Sequence, residues 1–341
     1  MVTAISPTNS RAQRQVDALL VHEGIHRDRN LDYTCGVFDD DMNLIATGSS
    51  FGNTLRCFAV SDEHRGEGLL NQVVSHLVEV QMERGNTHIF LYTKPDSARF
   101  FADLGFHEIA RSESAVFMEN RHNGFAAWCS SLEGTPPGKT AAVVMNANPF
   151  TVGHRYLVEQ AASENDFVHL FALSEEAGPI PFAVRKRLVC EGIADLPNVI
   201  LHDSGPYIIS SATFPSYFLR DEDAAITAHA ALDVAVFGKI AAALKIKVRY
   251  VGEEPASRVT SLYNRVMLDQ LPMHGVACHV VPRLSLGGRT VSASTVRQAI
   301  HDNSLEDVTD MLPESTLRYF QSAEAAPVIE AIRMMENPKH Y

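Results

Sequence analysis

After residue 140, short apolar runs alternate with helical patterns, and this predicts an α/β fold. The apolar runs, which are typical of buried strands, lie at residues 141–145, 167–173, 198–202, 246–251 and 276–281. The helical patterns between them lie near residues 153–164, 182–194, 224–243, 259–270 and 294–302. Because buried strands that alternate with helices build parallel sheets covered on both faces, we expect a doubly wound parallel sheet.

The first part of the chain has a different pattern, which predicts a smaller α+β domain. Short strands joined by turns fill residues 33–60, and a helix with one apolar face follows near 68–84. A strand, a short helix and a closing strand are expected near 88–93, 97–104 and 106–109. The cluster Gly134-Thr-Pro-Pro-Gly-Lys139 separates the two patterns. We therefore predict one domain at 1–133, a linker at 134–140 and a second domain at 141–341.

Charge and composition exclude several classes of partner. The 341 residues carry 29 Lys and Arg against 41 Asp and Glu, a formal net charge of −12, which disfavours nucleic acid and anionic membranes. We see neither an apolar run long enough to span a bilayer nor a signal peptide at the N-terminus. The five cysteines are scattered and form no CxxC pair. We expect a cytoplasmic protein without a nucleic-acid or membrane partner.

The stretch Asn148-Pro149-Phe150-Thr151-Val152-Gly153-His154 follows the first apolar run and opens a helix. A strand, a tight turn and a helix start place backbone N–H groups toward a phosphate. Gly153 lets the backbone come close to a ligand. His154, in the first turn, can donate to a phosphoryl oxygen, where charge builds in the transition state. This stretch is termed the first motif.

A second motif, Ser292-Ala293-Ser294-Thr295-Val296-Arg297, lies at another predicted helix start. Ser292, Ser294 and Thr295 supply hydroxyls, and Arg297 can hold phosphate oxygens through its planar guanidinium. Ligands of parallel sheets bind at the carboxyl ends of the strands, and both motifs fall near such ends. Together they indicate an enzyme that directs attack on the α-phosphate of a nucleotide.

The pair of motifs resembles the HxGH nucleotidyltransferase superfamily, with Thr151 in place of the first His and VSASTVR in place of ISSTxxR. Longer segments are similar to the citrate lyase ligase family. These segments are Met145–Leu157, Ile208–Tyr217, Phe237-Gly238-Lys239, Arg249–Pro255 and Tyr263-Asn264. The resemblance extends over nearly the whole chain.

That resemblance implies an ATP-dependent acid–thiol ligase. The family activates acetate as acetyl-adenylate, releases pyrophosphate, and transfers the acetyl group to a dephospho-CoA-type thiol on the acyl carrier subunit of citrate lyase. His154, Thr151 and Arg297 would be catalytic, and Ser294 and Thr295 would help to hold ATP, with Mg²⁺ screening the phosphates. Because acetate attacks directly, positioning and charge stabilisation could supply most of the rate.

Other residues are weaker candidates for binding the substrates. Arg185 and Arg187, at a helix start, could reach phosphates, although a solvated basic face is as good a reading. Gly252 and Glu253, at a strand end, could contact ribose or adenine, or form a simple turn. By resemblance alone, Ser210, Ser211 and Thr213 would line the acetate or thiol site.

The N-terminal domain contains Arg65-Gly66-Glu67-Gly68 before a helix, and this resembles the acyl-CoA-binding loop of GNAT acetyltransferases. Backbone N–H groups at the helix start would receive a pyrophosphate. Phe101 stands where that family often has a Tyr that serves as general acid, and Pro95 stands in place of an Asn. We therefore expect this domain to hold the CoA-like arm of the carrier through Arg65, Gly66 and Gly68. A structural relic with a generic turn is the alternative.

The segment His22-Glu23-Gly24-Ile25-His26 matches the zinc-binding pattern HExxH. Gly24 is a poor residue for a helix interior, so we expect a helix end without a metal.

Two other functions remain open from the sequence. One is a cytidylyl- or adenylyltransferase of cofactor biosynthesis, and the other is a GNAT N-acetyltransferase with a nucleotide-sensing domain. Phe101 argues against the latter, because it has no proton to give.

Overall fold

The structure, a computed structural model, describes residues 1–28, 30–132, 134, 137–176, 178–208, 222–253 and 258–338. In the described part, the chain forms two compact units, each with its own hydrophobic core. One unit comprises Met1–Ala127 with Phe214–Ala235, and the other comprises Trp128–Thr213 with Val236–Tyr341. The domain bounds expected from the sequence, 1–133 and 141–341, stay a prediction.

The first unit contains a seven-stranded mixed sheet. Its strands are β1 (Val2–Ala4), β2 (Tyr33–Phe38), β3 (Leu44–Phe51), β4 (Thr54–Val60), β5 (Phe90–Thr93), β6 (His107–Arg111) and β7 (Val116–Glu119). Its helices are α1 (Ser10–His22), α2 (Leu69–Glu83), α3 (Ala98–Ala102) and the first half of α4 (Gly124–Ser131). The strand order is β1-β2-β3-β4-β5-β7-β6. This confirms the predicted α+β domain.

Helix α2 packs through the apolar face that its sequence predicts. Val73, Val74 and Leu77 are buried in the core of the first unit. Strand β3 accommodates this helix because Gly48 has no side chain. A Cβ atom at Gly48 would lie 2.6 Å from Cγ1 of Val73.

Strands β4 and β5 form the one parallel pair among the described neighbours of this sheet. Their register covers Thr54 with Phe90 and Leu55 with Leu91, although both strands continue further. Cys57 of β4 has a φ of 55°, in the left-handed region that ordinary strand residues avoid. The two strands therefore part at the bend in β4, and the chain continues from β4 toward the Arg65–Gly68 loop.

The second unit contains the predicted parallel sheet. Its strands are β8 (Thr140–Met145), β9 (Phe167–Ala172), β10 (Val199–Asp203), β11 (Val248–Gly252) and β12 (Ala277–Val281). A two-stranded hairpin of β13 (Ser285–Leu286) and β14 (Arg289–Thr290) follows. The helices are α5 (Val152–Glu164), α6 (Phe182–Gly192), α7 (Glu222–Leu244, which begins in the first unit), α8 (Arg258–Gln270), α9 (Ala293–His301), α10 (Glu314–Phe320) and α11 (Ala326–Arg333).

The strand order β10-β9-β8-β11-β12, with every neighbouring pair parallel, confirms the doubly wound α/β fold. The chain first moves outward from β8 to β10 and then returns to the other side of β8. This reversal puts a crevice at the carboxyl ends of β8 and β11, where ligands of such sheets bind. The first motif begins three residues after β8, and therefore lies at this crevice.

Helix α7 corrects one expectation about apolar runs. Its segment Asp223–Leu244 has 22 residues and is long and apolar enough to cross a membrane by length and composition. However, 61% of its most apolar window is buried inside the protein. Such burial is typical of a core helix, and a core helix can have the length and apolar composition of a membrane span.

Gly192 at the end of α6 offers a test of packing beneath the first motif. A Cβ atom there would overlap Cε1 of Phe150 and lie 2.9 Å from Cδ1. Because Phe150 is fully buried, its ring cannot move away freely. We expect Gly192→Ala to destabilise the second unit by about 2 kcal/mol through overpacking. Trp128, the one tryptophan, lies in this unit, so its fluorescence during urea unfolding would report the change.

The matched control is Gly252→Ala, because a Cβ atom at Gly252 would meet nothing within 4 Å. Equal stability of the two variants would contradict the packing explanation.

Candidate nucleotide site

The first motif is held by a reciprocal capping box at the start of α5. Thr151 is the N-cap residue, and its Oγ1 accepts a hydrogen bond from the backbone N–H of His154 at 3.3 Å. In return, Nδ1 of His154 accepts from the backbone N–H of Thr151 at 3.1 Å. Two backbone donors at the helix start are thus satisfied, and the His154 ring is held over the turn.

This capping box determines which tautomer His154 adopts. Since Nδ1 accepts a hydrogen bond, the neutral ring carries its proton on Nε2, which remains a donor. Burial, together with the positive charges of Arg283 and Arg297, lowers the pKa of His154 to about 4. At neutral pH, His154 is therefore an uncharged N–H donor at the start of a helix.

Asn148 has a buried side chain whose polar atoms are unpaired within the described part of the chain. It is 2% exposed, and neither Oδ1 nor Nδ2 has a hydrogen-bond partner among those residues. An unsatisfied buried amide costs about 1–3 kcal/mol, so the presence of one here points to a polar ligand that pairs with it. The peptide bond to Pro149 is cis.

Arg297 of the second motif connects directly to the first. Its Nη1 donates to the carbonyl oxygen of Asn148, and its Nε donates to the carbonyl oxygen of Pro338 at 2.7 Å. The side chain is 5% exposed. Its predicted proximity to the first motif is thus observed, and the contact with Asn148 makes it a residue that positions the turn.

The second motif also forms a cluster of hydroxyl groups at the start of α9. Ser292 is the N-cap residue, and its Oγ accepts from the backbone N–H of Thr295 at 3.0 Å. The same Oγ lies 2.9 Å from Oγ of Ser294 and 2.8 Å from Oγ1 of Thr295. These hydroxyls and the helix N-terminus form an arrangement that suits phosphate oxygens.

Gly153 has a packing role that its sequence context did not reveal. A Cβ atom there would lie 3.2 Å from Cγ1 of Val291, which immediately precedes the second motif. The expected close approach of the backbone to a ligand is therefore accompanied by a close approach of the two motifs to each other.

Arg283 is a site residue that the sequence analysis missed. It follows β12 by two residues, and its Nε donates to the carbonyl oxygen of Glu253 at 3.0 Å. Its charge acts on His154, so it belongs to the same site. Position at the carboxyl end of a parallel strand was the available signal, but no motif marked it.

Gly252 and Glu253 lie at the carboxyl end of β11, as predicted. The carbonyl oxygen of Gly252 accepts from Nδ2 of Asn264 at 3.1 Å. The backbone N–H of Glu253 donates to the carbonyl oxygen of Val281 at 2.8 Å, and its side chain is exposed. A nucleotide contact by these residues stays a prediction.

Arg185 is not at the surface, where a residue that binds phosphate would be expected. It is fully buried in α6, and its guanidinium donates to Oδ1 of Asn146 at 2.7 Å and to the carbonyl oxygens of Leu173 and Ile180 at 2.9 and 3.1 Å. Contact with a phosphate would require it to give up these bonds. Arg187 is exposed, and it pairs with Glu324 at 2.8 Å.

The proposed acetate or thiol residues Ser210, Ser211 and Thr213 lie outside the described residues.

The GNAT-like loop lies in the first unit, and its backbone has the predicted form. Gly66 and Gly68 have φ values of 89° and 73°, and Gly68 is the N-cap residue of α2. No side chain caps this helix start in the described structure. Arg65 is exposed and pairs with Glu23 at 2.6 Å and with Asp62 at 2.5 Å.

The HExxH pattern is not used as a helical zinc motif. Helix α1 ends at His22, and Gly24 has a φ of 64° beyond it, so His26 is not on the same helix. Among the described residues, His22, Glu23 and Asp62 are close enough to hold a metal ion. However, the Arg65 guanidinium already pairs with both carboxylates there.

The site in the second unit combines neutral and cationic hydrogen-bond donors. It offers the Nε2–H group of His154, the starts of α5 and α9, and two guanidinium groups. Such donors stabilise negative charge that develops on a phosphate during displacement.

Comparisons with known proteins identify the family to which the chain belongs. The family model of the citrate lyase ligase C-terminal domain matches residues 140–320. The [citrate [pro-3S]-lyase] ligase of Escherichia coli K12 is 36% identical over 89% of this chain and 89% of its own length. That of Klebsiella pneumoniae is 38% identical over 83% of this chain and 86% of its own.

Among solved structures, a putative nicotinate-nucleotide adenylyltransferase from Vibrio parahaemolyticus aligns with 58% of this chain and 98% of its own, at 14% identity and a TM-score of 0.36. Since the family model covers the second unit's site and the relatives extend over most of the chain, the chain belongs to the citrate lyase ligase family of enzymes.

Proposed function

We propose that this enzyme activates acetate with ATP and transfers the acetyl group to a thiol. The first step forms acetyl-adenylate and pyrophosphate, and the second releases AMP. The acceptor is the dephospho-CoA-type prosthetic group on the acyl carrier subunit of citrate lyase, which the transfer activates. The observation that carries this proposal is the neutral Nε2–H donor of His154 at the start of α5.

In the first step, an acetate oxygen attacks the α-phosphorus and pyrophosphate leaves on the opposite side. Negative charge grows on the α-phosphoryl oxygens, where the Nε2–H of His154 donates. Because this ring stays uncharged, it gives a hydrogen bond without surrendering a proton to the phosphate. Thr151 holds the ring in place, and Arg297 fixes the preceding turn.

The remaining residues bind the nucleotide in this proposal. The hydroxyls of Ser292, Ser294 and Thr295 receive the phosphate oxygens at the start of α9. Arg283 adds a positive charge near His154, and the buried amide of Asn148 gains a polar partner. Gly252 and Glu253 lie where the ribose and adenine would rest, at the end of β11.

Mg²⁺ accompanies the triphosphate in this proposal rather than occupying a protein cage. The group of three potential metal ligands found among the described residues lies in the first unit, away from these motifs in sequence. Mg²⁺ often keeps several waters and binds chiefly through substrate phosphates. When bound, it would screen the charge of the triphosphate.

The first unit holds the CoA-like arm of the carrier in this proposal. The uncapped start of α2, with Gly66 and Gly68 in left-handed conformations, suits the diphosphate of such an arm. Phe101 is buried at 3% exposure and packs 5.2 Å from the Phe58 ring, which gives an apolar environment without an acid. This supports binding without N-acetyl transfer. We place the enzyme in the cytoplasm, where ATP and a reduced thiol coexist.

The acetate dependence of ATP–pyrophosphate exchange tests the proposed function. We expect labelled pyrophosphate to enter ATP when acetate is present and the carrier is absent, because the adenylate forms reversibly. Exchange without acetate would indicate a nucleotidyltransferase of cofactor biosynthesis instead. Acetyl-CoA turnover onto amines would favour a GNAT acetyltransferase.

Replacing His154 tests the donor assigned to the α-phosphate. We expect His154→Ala to reduce acetate-dependent exchange by about 10²–10³-fold, the usual effect of losing one transition-state donor. Because the pKa of His154 is lowered to about 4, protonation of this ring should not affect the wild-type rate near pH 6.5. The control is His301→Ala, which removes a surface imidazole paired with Asp302. Equal activity of the two variants would exclude the assigned role.

Gly68→Asn tests carrier binding by the first unit. Asn tolerates the left-handed conformation, and a Cβ atom there meets nothing within 4 Å, so the fold should be kept. The new side chain would cover the N–H groups at the start of α2. We expect the KM for the carrier to rise about tenfold, equivalent to 1.4 kcal/mol, while exchange is unchanged.

Gly85→Asn provides the matched control at the other end of α2, with a φ of 83° and equally open surroundings. If both variants use the carrier as well as the wild type does, the loop does not bind the arm.

A further inference from the structure

Glu175 lies at the same sheet edge as the first motif, but no motif marks it. It follows β9 by three residues, and β9 is the neighbour of β8 in the sheet. The buried Arg185 joins the two strand ends, because Nη2 donates to the carbonyl oxygen of Glu175 and Nη1 donates to the carbonyl oxygen and Oδ1 of Asn146. The backbone that carries Glu175 is therefore fixed next to the turn that leads into the first motif.

The side chain of Glu175 is unusual for a carboxylate near the surface. Its Oε2 is buried and has no hydrogen-bond partner among the described residues, while the residue as a whole is only half-buried. Burial raises the pKa of the carboxyl group to about 7, against the opposing effect of the Arg185 charge. A carboxyl group that titrates near neutral pH suits proton transfer.

The charges around His154 indicate which substrate would meet Glu175. Arg283 follows β12, and its Nε donates to the carbonyl oxygen of Glu253 after β11, so a cation for the pyrophosphate lies on the β11–β12 side of β8. In an in-line displacement the entering acid lies opposite the leaving pyrophosphate. The acetyl group would then project toward the β9 side, where Glu175 is located.

We propose that Glu175 is the general base of the second half-reaction, which removes the proton of the carrier thiol as the sulfur attacks acetyl-adenylate. This assignment rests on the proposed function, because that function supplies both the adenylate and the thiol.

Thioester formation from acetyl-adenylate releases AMP and one proton. A carboxylate oxygen of Glu175 takes the proton from S–H, and sulfur forms a bond to the acetyl carbonyl carbon. The bond between that carbon and the phosphate oxygen breaks, and AMP leaves with the electron pair. AMP requires no proton at neutral pH, so the proton on Glu175 passes to water. The products are the thioester, AMP and one proton.

Charged groups on the neighbouring elements α6, β10 and α5 surround Glu175 at different removes. Arg185 of α6 acts directly on Glu175, whereas Lys186 of α6 pairs with Asp203 of β10 at 2.7 Å. Glu176, the next residue, accepts a hydrogen bond from the backbone N–H of Phe182 at 3.0 Å. On the β8 side, His154 is neutral above about pH 4. The pKa of the Glu175 carboxyl group, raised to about 7 by burial, places its own titration near neutral pH.

The experiment compares both half-reactions in the full-length Glu175→Gln variant. Acetate-dependent ATP–pyrophosphate exchange should be unchanged, which also demonstrates that the variant is folded. Transfer of acetyl to the thiol form of the acyl carrier subunit should fall about 10²–10⁴-fold at pH 7.5, the usual contribution of a general base. Single-turnover transfer from the preformed adenylate would measure this rate.

The pH profile separates a base from a structural residue. Below pH 7 the wild-type carboxyl is protonated and cannot accept a proton, so its transfer rate should rise with pH and level off above about 7. In Glu175→Gln the rate should instead keep rising until the thiol itself ionises, at about pH 8.5 or above. The control is Glu176→Gln, which should retain the wild-type profile.

Equal loss of exchange and transfer in Glu175→Gln would overturn the base assignment, as would an unchanged transfer profile. If the wild-type enzyme shows no acetate-dependent exchange, the proposed function itself fails, and the base assignment fails with it.

Discussion

The hydrogen bond from Arg297 to the carbonyl oxygen of Asn148 joins the two motifs through residues that are 149 positions apart in the chain. A guanidinium that is 5% exposed is costly to bury unless its N–H groups are satisfied. Here backbone carbonyl oxygens of Asn148 and Pro338 accept from it, so the charge remains in place. The turn before α5 therefore takes its position from a residue in α9, and the close contact possible at Gly153 brings the same two segments together.

The same positive charge also affects the chemistry of His154. Together with burial and Arg283, Arg297 keeps the imidazole unprotonated, while the capping box directs its one proton to Nε2. Packing and electrostatics thus lead to one result, a neutral donor with fixed orientation. A protonated His would bind the ground-state triphosphate more strongly, whereas a neutral donor favours charge that develops during reaction. This concentration of cations occurs locally in a chain whose formal net charge is −12.

Hydrophobic patterning predicted most of the fold because both architectures depend on regular periods. The five parallel strands and helices α5 to α9 lie close to their expected positions, since buried strands and amphipathic helices leave strong signals. Short elements such as strand β7 and helix α4 were not predicted, because so few residues leave only a weak signal in the sequence. The two motifs could be found from their residues and their context, but Arg283 could not, because a lone Arg after a strand has no distinctive neighbours. The burial of Arg185 and the raised pKa of Glu175 depend on tertiary packing, which a linear pattern does not contain.

The proposed function assigns the adenylate to the second unit and the CoA-like arm to the first. An acetyl-adenylate is a reactive anhydride, so its value depends on exclusion of water until the thiol arrives. A thiol at neutral pH is mostly protonated, so its attack requires either a lowered thiol pKa or a base at the point of arrival. A base that titrates near pH 7 accepts that proton but remains a weak activator of water, whose pKa is far higher than that of a thiol. Such a base would therefore favour acetyl transfer over hydrolysis. A carboxylate with an ordinary pKa would be too weak a base to assist either reaction. Glu175, beside β8 and anchored by Arg185, meets this requirement through burial alone, without a motif of its own.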